Sequence, residues 1–145
     1  MWLHEPHTPF HTVPKYRWRF RHLENEADNI YASVLSHADD RVGEVLDELD
    51  RLELTENTLV IFSSDNGPAR SSRPAELGLM HDTATGAGYN VAAAKGITGG
   101  RKGYKSSLFE GGIGVPFIAR WPSKIPSGRV DKKSILSAVD LLPTF

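Results

Sequence analysis

An apolar run meets polar and turn-forming residues in one stretch of the chain, Thr58-Leu59-Val60-Ile61-Phe62-Ser63-Ser64-Asp65-Asn66-Gly67-Pro68. The apolar part, Leu59–Phe62, is typical of a buried β-strand, because short apolar runs closed by turn residues are common inside sheets. Ligands of open α/β sheets bind at the carboxyl ends of strands, which is where Asp65 and Asn66 stand. Their oxygens suit Ca²⁺ or Mg²⁺, so the stretch predicts a divalent-cation site. The alternative is an Asx-turn that only ends the strand.

The composition is that of an ordinary globular chain. Its 145 residues are enough for one domain with a hydrophobic core, and 39% of them are hydrophobic. The net charge of −1 gives no electrostatic reason to expect binding to nucleic acid or to an anionic membrane. No apolar run approaches the ~20 residues of a membrane span. The absence of cysteine excludes disulfides, thiolate metal sites and a cysteine nucleophile within this sequence.

Periodicity predicts one long helix and a second strand. Apolar residues recur every three or four positions through residues 25–52, which predicts an amphipathic helix. A short turn leads from it to the Leu59–Phe62 strand, so the pair forms the αβ half of a βαβ unit. Val115–Pro122 predicts another strand, entered at Pro116. A final helix is predicted after Asp140 as N-cap, with Pro143 in its first turn.

Two regions lack periodicity. Residues 1–23 combine three clustered histidines with several prolines, which rule out a regular helix there. The cluster, which follows the apolar pair Trp2-Leu3, indicates a functional site, although histidines in a proline-rich loop are often merely exposed. Residues 67–112 carry ten of the 13 glycines and predict a long, functional loop with a short helix around Ala75–Met80.

Taken together, several segments in order resemble the sulfatase family, the type I formylglycine-dependent sulfatases of the alkaline-phosphatase superfamily. No single motif is specific, but their joint order and spacing is, and the resemblance runs over nearly the whole chain. The matching segments are His7-Thr8-Pro9 through Tyr16, Val60-Ile61-Phe62-Ser63-Ser64-Asp65-Asn66-Gly67-Pro68, Lys105 through Phe109-Glu110-Gly111-Gly112-Ile113, Val115-Pro116-Phe117-Ile118-Ala119-Arg120-Trp121-Pro122, the helix pattern from Asp39 to Leu49, and the tail Ser137 to Thr144.

The resemblance implies an α/β fold, namely part of an alkaline-phosphatase-like α/β/α sandwich with a mostly parallel sheet. Residues 1–145 would form a partial catalytic domain that lacks the nucleophile-bearing N-terminal part and the C-terminal subdomain. The parent protein is expected to hydrolyse sulfate esters of carbohydrates or aryl alcohols, as arylsulfatases and N-acetylgalactosamine-6-sulfatases do. A periplasmic or secreted location is expected from the same resemblance, although the first residues lack the features of a signal peptide.

Residue by residue, the resemblance implies specific roles. Asp65 and Asn66 match the pair that binds the active-site Ca²⁺, and Lys105 matches the lysine that contacts the substrate sulfate. His7 matches the histidine beside the leaving-group oxygen, while His4 is the alternative, with a substrate-binding role, because His4-Glu5-Pro6 also fits the motif. A cation and a lysine would neutralise the sulfate oxygens, and a histidine would protonate the departing alcohol.

The sequence also departs from the family pattern. The family nucleophile is a formylglycine made from the first residue of Cys/Ser-x-Pro-x-Arg, and no such motif is present. The segment Ser72-Arg73-Pro74-Ala75-Glu76 begins like it but has Glu76 in place of arginine. The isolated chain is therefore expected to be inactive, with the formylglycine in a missing N-terminal part. Alternative functions are a phosphate or phosphonate ester hydrolase of the same superfamily and a non-catalytic metal-binding module.

Overall fold

The computed structural model describes residues 1–70 and 76–144, which form one long helix, three short helices and four short strands. In chain order these elements are α1 (Pro14–Arg19), α2 (Glu26–Arg51), β1 (Val60–Ser63), β2 (Leu79–Asp82), β3 (Gly86–Tyr89), α3 (Glu110–Ile113), β4 (Phe117–Arg120) and α4 (Leu141–Thr144). Short 3₁₀ turns lie at Thr55–Asn57, Val91–Ala93 and Ala138–Asp140. The α/β class predicted from the sequence is confirmed. The exclusion of a regular helix from residues 1–23 is wrong for Pro14–Arg19, because α1 begins at Pro14 and proline is tolerated at the first position of a helix.

The long helix α2 confirms the prediction for residues 25–52 almost to the residue. Asn25 caps its start, where the side-chain oxygen accepts hydrogen bonds from the backbone N–H groups of Ala27 at 2.9 Å and Asp28 at 3.2 Å. Two residues beyond its end, Glu53 has a φ of 57°, a left-handed conformation that cannot continue a right-handed helix. The polar cap and the backbone reversal therefore set both ends of the helix.

The hydrophobic core lies between α2 and the N-terminal loop. Ile30 and Val34 of α2 are fully buried, and they form one cluster with Phe10 and Ala93. The edge of this cluster is closed by half-buried side chains that pack against it, namely Ala27, Tyr31, Leu77, Tyr89 and Ala94. The apolar stripe of α2 thus anchors the loop that carries the predicted catalytic histidines.

The strands form two antiparallel pairs. β1 pairs with β4 from Val60 opposite Arg120 to Ser63 opposite Phe117. β2 and β3 form a hairpin, whose turn is fixed by the Asp82 carboxylate as it accepts hydrogen bonds from the N–H groups of Ala84 and Thr85. These bonds stabilise the ionised carboxylate and lower the pKa of Asp82.

The hairpin corrects part of the loop prediction. The short helix expected around Ala75–Met80 is wrong where the structure describes it, because Leu79 and Met80 belong to β2. Ala75 and the rest of the Ser72–Ala75 segment lie outside the described residues. An isolated β-bridge between Phe10 and Tyr89 joins β3 to the N-terminal loop. The hairpin therefore also holds that loop in place.

The strand β1 lies where it was predicted, but it is not buried. Phe62 is 43% exposed, and β4 is the only strand that pairs with β1 within residues 1–70 and 76–144. The described strands contain only antiparallel ladders, so the mostly parallel sheet is not confirmed.

The predicted C-terminal helix lies at the expected position, but the Asp140 side chain does not cap it. α4 begins at Leu141 and has Pro143 in its first turn, as expected. The Asp140 carboxylate accepts a hydrogen bond from the N–H of Ser137 at 2.8 Å, within a capping box of the preceding 3₁₀ turn. Among the described helices, none has the length and apolar character that crossing a membrane requires.

The core makes a direct prediction for stability. Ile30→Ala should lower the free energy of unfolding of the 145-residue chain by about 3 kcal/mol, because Ile30 is fully buried and its loss leaves a cavity. Leu35→Ala, further along the same helix but 41% exposed, serves as the control and should cost less than about 1 kcal/mol. Urea unfolding followed by circular dichroism measures both, and equal losses would contradict the position of the core.

Candidate active site

The turn after β1 presents the two predicted metal ligands. Asp65 is exposed and Asn66 is half-buried. The Asn66 Nδ2 donates a hydrogen bond to the carbonyl oxygen of Gly67 at 2.8 Å, and the Ser64 hydroxyl donates to the Asn66 carbonyl at 2.9 Å. No hydrogen bond within the described part of the chain engages the Asp65 carboxylate or the Asn66 Oδ1. Local side-chain-to-backbone hydrogen bonds therefore hold the turn, while a carboxylate and a carboxamide oxygen stay available as ligands.

This turn is packed directly against the glycine-rich loop. The Gly67 N–H donates to the carbonyl oxygen of Gly112 at 2.8 Å. A methyl group on Gly67 would overlap the carbonyl oxygen of Gly111, and one on Gly111 would overlap that of Gly103. Glycine is thus required at these positions because two backbone segments approach too closely for any side chain.

The same packing brings Lys105 to the turn. The Lys105 N–H donates to the carbonyl oxygen of Pro68 at 3.0 Å, two residues beyond Asn66, and the Lys105 side chain is half-buried. Ser106 has a φ of 72°, a left-handed conformation that reverses the chain directly after the lysine. Two segments about 40 residues apart therefore form one unit that carries Asp65, Asn66 and Lys105.

An arginine and a tyrosine that the sequence analysis did not select also lie in this unit. The Arg70 guanidinium stands 5.0 Å from the centre of the Tyr104 ring and donates a hydrogen bond to its hydroxyl at 3.3 Å. Arg70 follows the turn, and Tyr104 directly precedes Lys105. Only this proximity in the sequence to predicted site residues could have indicated that they belong to the site. They add positive charge and an aromatic surface beside Lys105.

The histidines form a separate cluster in the N-terminal loop. The His4 ring centre lies 5.9 Å from that of His7 and 5.9 Å from that of His11. His7 is exposed, and its Nδ1 lies 2.6 Å from the carbonyl oxygen of Thr8. Because a carbonyl only accepts, Nδ1 carries a proton and the Nε2 of the neutral ring is an acceptor. His4 is also exposed, and its Nε2 is held by the Pro9 carbonyl at 3.3 Å.

Contacts to α2 hold the histidine loop in place. Glu5, between the two candidate histidines, accepts a hydrogen bond from the His37 Nδ1 at 2.8 Å. The His37 ring stands 5.4 Å from Tyr16, whose hydroxyl donates to the Asp40 carboxylate at 2.6 Å. This last bond stabilises the ionised form and lowers the pKa of Asp40. Glu5 and His37 are far apart in the sequence, so no local pattern indicated their pairing.

The helix α2 also links the histidine loop to the Asp65 turn. The Tyr31 ring meets Phe10 edge to face at 6.0 Å between ring centres, and its burial raises the pKa of the hydroxyl. A methyl group on Gly96 would clash with both Tyr31 and Pro68, so both side chains pack against Gly96. No hydrogen bond or ion pair in the described residues joins either histidine to Asp65 or Lys105. Their convergence on one substrate stays a prediction.

The oxygen atoms at the Asp65 turn are of the type that a hard divalent cation binds, but they are too few to form a complete site. A carboxylate and a carboxamide oxygen match the ligand preference of Ca²⁺, which takes six to eight oxygen ligands. In residues 1–70 and 76–144 there is no group of three histidine, aspartate or glutamate side chains that could hold a metal ion. Asp65 and Asn66 can therefore contribute part of such a site, and further oxygens must complete it.

With this geometry established, the relation to known proteins is clear. The family model described as Sulfatase matches residues 1–145. The chain belongs to the sulfatase family. The resemblance drawn from its motifs is thereby confirmed.

Curated sulfatases share about a third of the residues over the aligned region. An N-acetylgalactosamine-6-O-sulfatase of Bacteroides thetaiotaomicron is 32% identical over 117 residues, which cover 77% of this chain and 20% of that protein. Arylsulfatase H of Homo sapiens is 35% identical over 139 residues, which cover 96% of this chain and 21% of that protein. This sulfatase sequence thus spans about a fifth of the length of the relatives it matches.

The chain also resembles parts of larger solved structures. The crystal structure of Ps i-CgsB in complex with k-i-k-neocarrahexaose has a TM-score of 0.63 and 27% identity, covering 86% of this chain and 23% of that one. A chain described in connection with the metabolism of multiple glycosaminoglycans by Bacteroides thetaiotaomicron has a TM-score of 0.60 and 28% identity, covering 85% and 22%. The short sulfatase chain therefore folds as a corresponding part of larger proteins.

The close packing at Gly67 generates a prediction with an internal control. Gly67→Ala should lower the free energy of unfolding by about 2 kcal/mol, because the added methyl overlaps the Gly111 carbonyl and must push the two loops apart. Gly43→Ala introduces the same methyl within α2, where nothing lies within 4 Å, and should stabilise the chain by about 0.5–1 kcal/mol.

Both effects can be measured by urea unfolding, and amide NMR shifts locate the disturbance. Shifts at Lys105 and Gly112 should move in the Gly67 variant and stay unchanged in the Gly43 variant. Unchanged shifts at Lys105 in the Gly67 variant would show that the turn and the lysine loop are not packed together.

Proposed function

We propose that the protein containing this sequence hydrolyses sulfate esters, and that its substrates are sulfated carbohydrates. The observation that carries the proposal is the docking of the Lys105 loop onto the Asp65-Asn66 turn through the hydrogen bond from the Lys105 N–H to the Pro68 carbonyl. A cationic side chain and two oxygen ligands then belong to one rigid unit. Family membership supplies the reaction class for this unit.

Lys105 and the Asp65 turn would bind the sulfate group. When bound, Ca²⁺ supplies positive charge that neutralises sulfate oxygens as the ester bond breaks. Asp65 and Asn66 would hold that ion through the Asp65 carboxylate and the Asn66 Oδ1. Lys105 would place its ammonium group against another sulfate oxygen, and its half-buried position strengthens that attraction by excluding part of the water.

A histidine of the N-terminal loop would protonate the departing alcohol. His7 is the preferred candidate, and His4 is the alternative that would contact the substrate. In His7 the Thr8 carbonyl engages Nδ1–H, so Nε2 is the atom that exchanges a proton with a substrate oxygen. The hydrogen bond from His37 to Glu5 would keep this loop fixed on α2 during the reaction.

The groups that this sequence lacks are proposed to come from the rest of the protein. The attacking oxygen would belong to a formylglycine outside these 145 residues, and further oxygen ligands would complete the Ca²⁺ site. We also propose that β1 and β4 join other strands in a mostly parallel sheet, which would cover the exposed side of Phe62. Carbohydrate substrates are proposed because relatives are named for N-acetylgalactosamine 6-sulfate and a structural neighbour holds a carrahexaose.

The test compares the complete protein with this chain alone. The complete protein should hydrolyse an aryl sulfate and release sulfate from a sulfated oligosaccharide, while the 145-residue chain should show no turnover. Asp65→Ala and Lys105→Ala should each lower kcat by about 10²–10³-fold in the complete protein, since each removes charge stabilisation in the transition state. Lys124→Ala, in an exposed turn, is the control and should leave kcat unchanged.

The outcomes separate the alternative functions. Hydrolysis of an aryl phosphate without hydrolysis of an aryl sulfate would favour the phosphate or phosphonate hydrolase. Absence of both activities, with Ca²⁺ binding lost on Asp65→Ala, would favour the non-catalytic metal-binding module. Multiple turnover by the isolated chain would contradict the proposal that the nucleophile lies outside it.

A further inference from the structure

A basic and aromatic surface lies next to the histidine loop. The segment Lys15–His22 contains four lysine or arginine residues, three aromatic side chains and no acidic residue. Tyr16 is buried and faces α2, whereas Lys15, Trp18 and Arg19 are exposed and share one face of the helical turn. We call the exposed residues Lys15, Trp18, Arg19 and Arg21 the α1 surface.

Two of these cations form no ion pair with a carboxylate in the described residues. Lys15 pairs with Asp40 at 3.4 Å, and the neighbouring Arg17 pairs with Glu26 at 3.1 Å. Neither Arg19 nor Arg21 takes part in an ion pair in the described part of the chain. The overall charge is only −1, so this is a local concentration of positive charge on an otherwise balanced protein.

The Arg21 guanidinium is held against an exposed aromatic ring. Its central carbon lies 3.8 Å from the centre of the Trp18 ring, and its Nη1 donates to the Trp18 carbonyl at 3.1 Å. Trp18 is nevertheless 66% exposed. Stacking fixes the plane of the guanidinium while its edge N–H groups stay available for an anion, and the indole offers an apolar surface for a sugar ring.

The α1 surface is fixed to the elements that hold the candidate histidines. Tyr16 packs beside His37, the partner of Glu5, so α1 and the histidine loop rest on the same part of α2. The Arg17 guanidinium lies 5.8 Å from the centre of the Tyr89 ring, whose backbone pairs with Phe10. The helix α1 and the histidine loop are therefore neighbours that rest on the same helix α2.

We propose that the α1 surface is a second binding site for sulfated polysaccharide, which receives sugar units next to the unit being hydrolysed. Arg19 and Arg21 bind sulfate groups of the polymer, and Trp18 packs against a sugar ring. The proposal rests on the proposed function for its substrate class. Sulfated glycan is favoured over nucleic acid because sulfated glycans fit the names of the relatives and because the bulk charge gives no support for nucleic acid.

The test measures the equilibrium affinity of the protein for dextran sulfate and does not depend on hydrolysis. Neutral dextran and single-stranded DNA are the comparison ligands. The protein should bind dextran sulfate, bind DNA more weakly and ignore neutral dextran. The double substitution Arg19→Gln/Arg21→Gln should weaken binding about tenfold and reduce the slope of affinity against salt, since two charge-assisted contacts are lost. The control Arg129→Gln/Lys132→Gln removes the same charge from an exposed turn and should change binding less than about twofold.

A second variant tests the aromatic part. Trp18→Ala should weaken dextran sulfate binding about fivefold with an unchanged salt slope, because stacking against a ring contributes without charge. Ile135→Ala, at a side chain that is 97% exposed, is the control and should have no effect. Circular dichroism melts confirm that each variant is folded before affinities are compared.

Several results would overturn the proposal. These are an equal loss of binding in the two double variants, no effect of Trp18→Ala, and DNA binding as tight as dextran sulfate binding. Hydrolysis is scored separately, so the two proposals can fail independently. If the complete protein binds dextran sulfate through the α1 surface but does not hydrolyse sulfate esters, the proposed function is wrong. If it hydrolyses sulfate esters but does not bind dextran sulfate through the α1 surface, the α1 proposal is wrong.

Discussion

Packing of one face of α2 against Phe10 is the interaction on which the rest of the structure depends. Ile30 and Val34 are fully buried there, and Tyr31 extends the same face toward Gly96 and Pro68. One helix therefore supports both segments that carry candidate catalytic groups. The histidine loop rests on its core face, with Glu5 bound to His37, and Pro68, which follows the Asp65-Asn66 turn, packs against Gly96 together with Tyr31 of the helix. Loss of this packing would release both segments together.

The site itself depends on backbone contacts more than on side chains. At Gly67 and Gly111 two loops approach so closely that no side chain fits, and this contact carries Lys105 to the Asp65-Asn66 turn. The two loops are joined by backbone hydrogen bonds, from Gly67 to Gly112 and from Lys105 to Pro68, which leaves the Asp65 carboxylate and the Lys105 ammonium group available for a substrate. The same arrangement makes the site incomplete, since the carboxylate and carboxamide of the turn are fewer oxygens than Ca²⁺ takes.

The parts that sequence reasoning predicted are those with local signals. The helix was visible in its apolar period, and β1 was visible as an apolar run before Asp65. The β2–β3 hairpin was missed because Gly86, Ala87 and Gly88 give no alternation of apolar and polar side chains. Burial of β1 was wrongly predicted because burial depends on neighbours that a local pattern does not encode. The pairing of Glu5 with His37 likewise joins distant positions, so only the fold reveals it.

The central claim is that Lys105 and a histidine of the N-terminal loop act on one sulfate group beside Asp65. The most direct test is a crystal structure of the complete protein with a bound sulfate ester or inorganic sulfate. We expect the Lys105 Nζ and the His7 Nε2 each to lie about 3 Å from oxygens of the same ligand, with Asp65 and Asn66 on the ion beside it. A structure in which the ligand contacts Lys105 while His4 and His7 both lie at the opposite end of the sheet would contradict it.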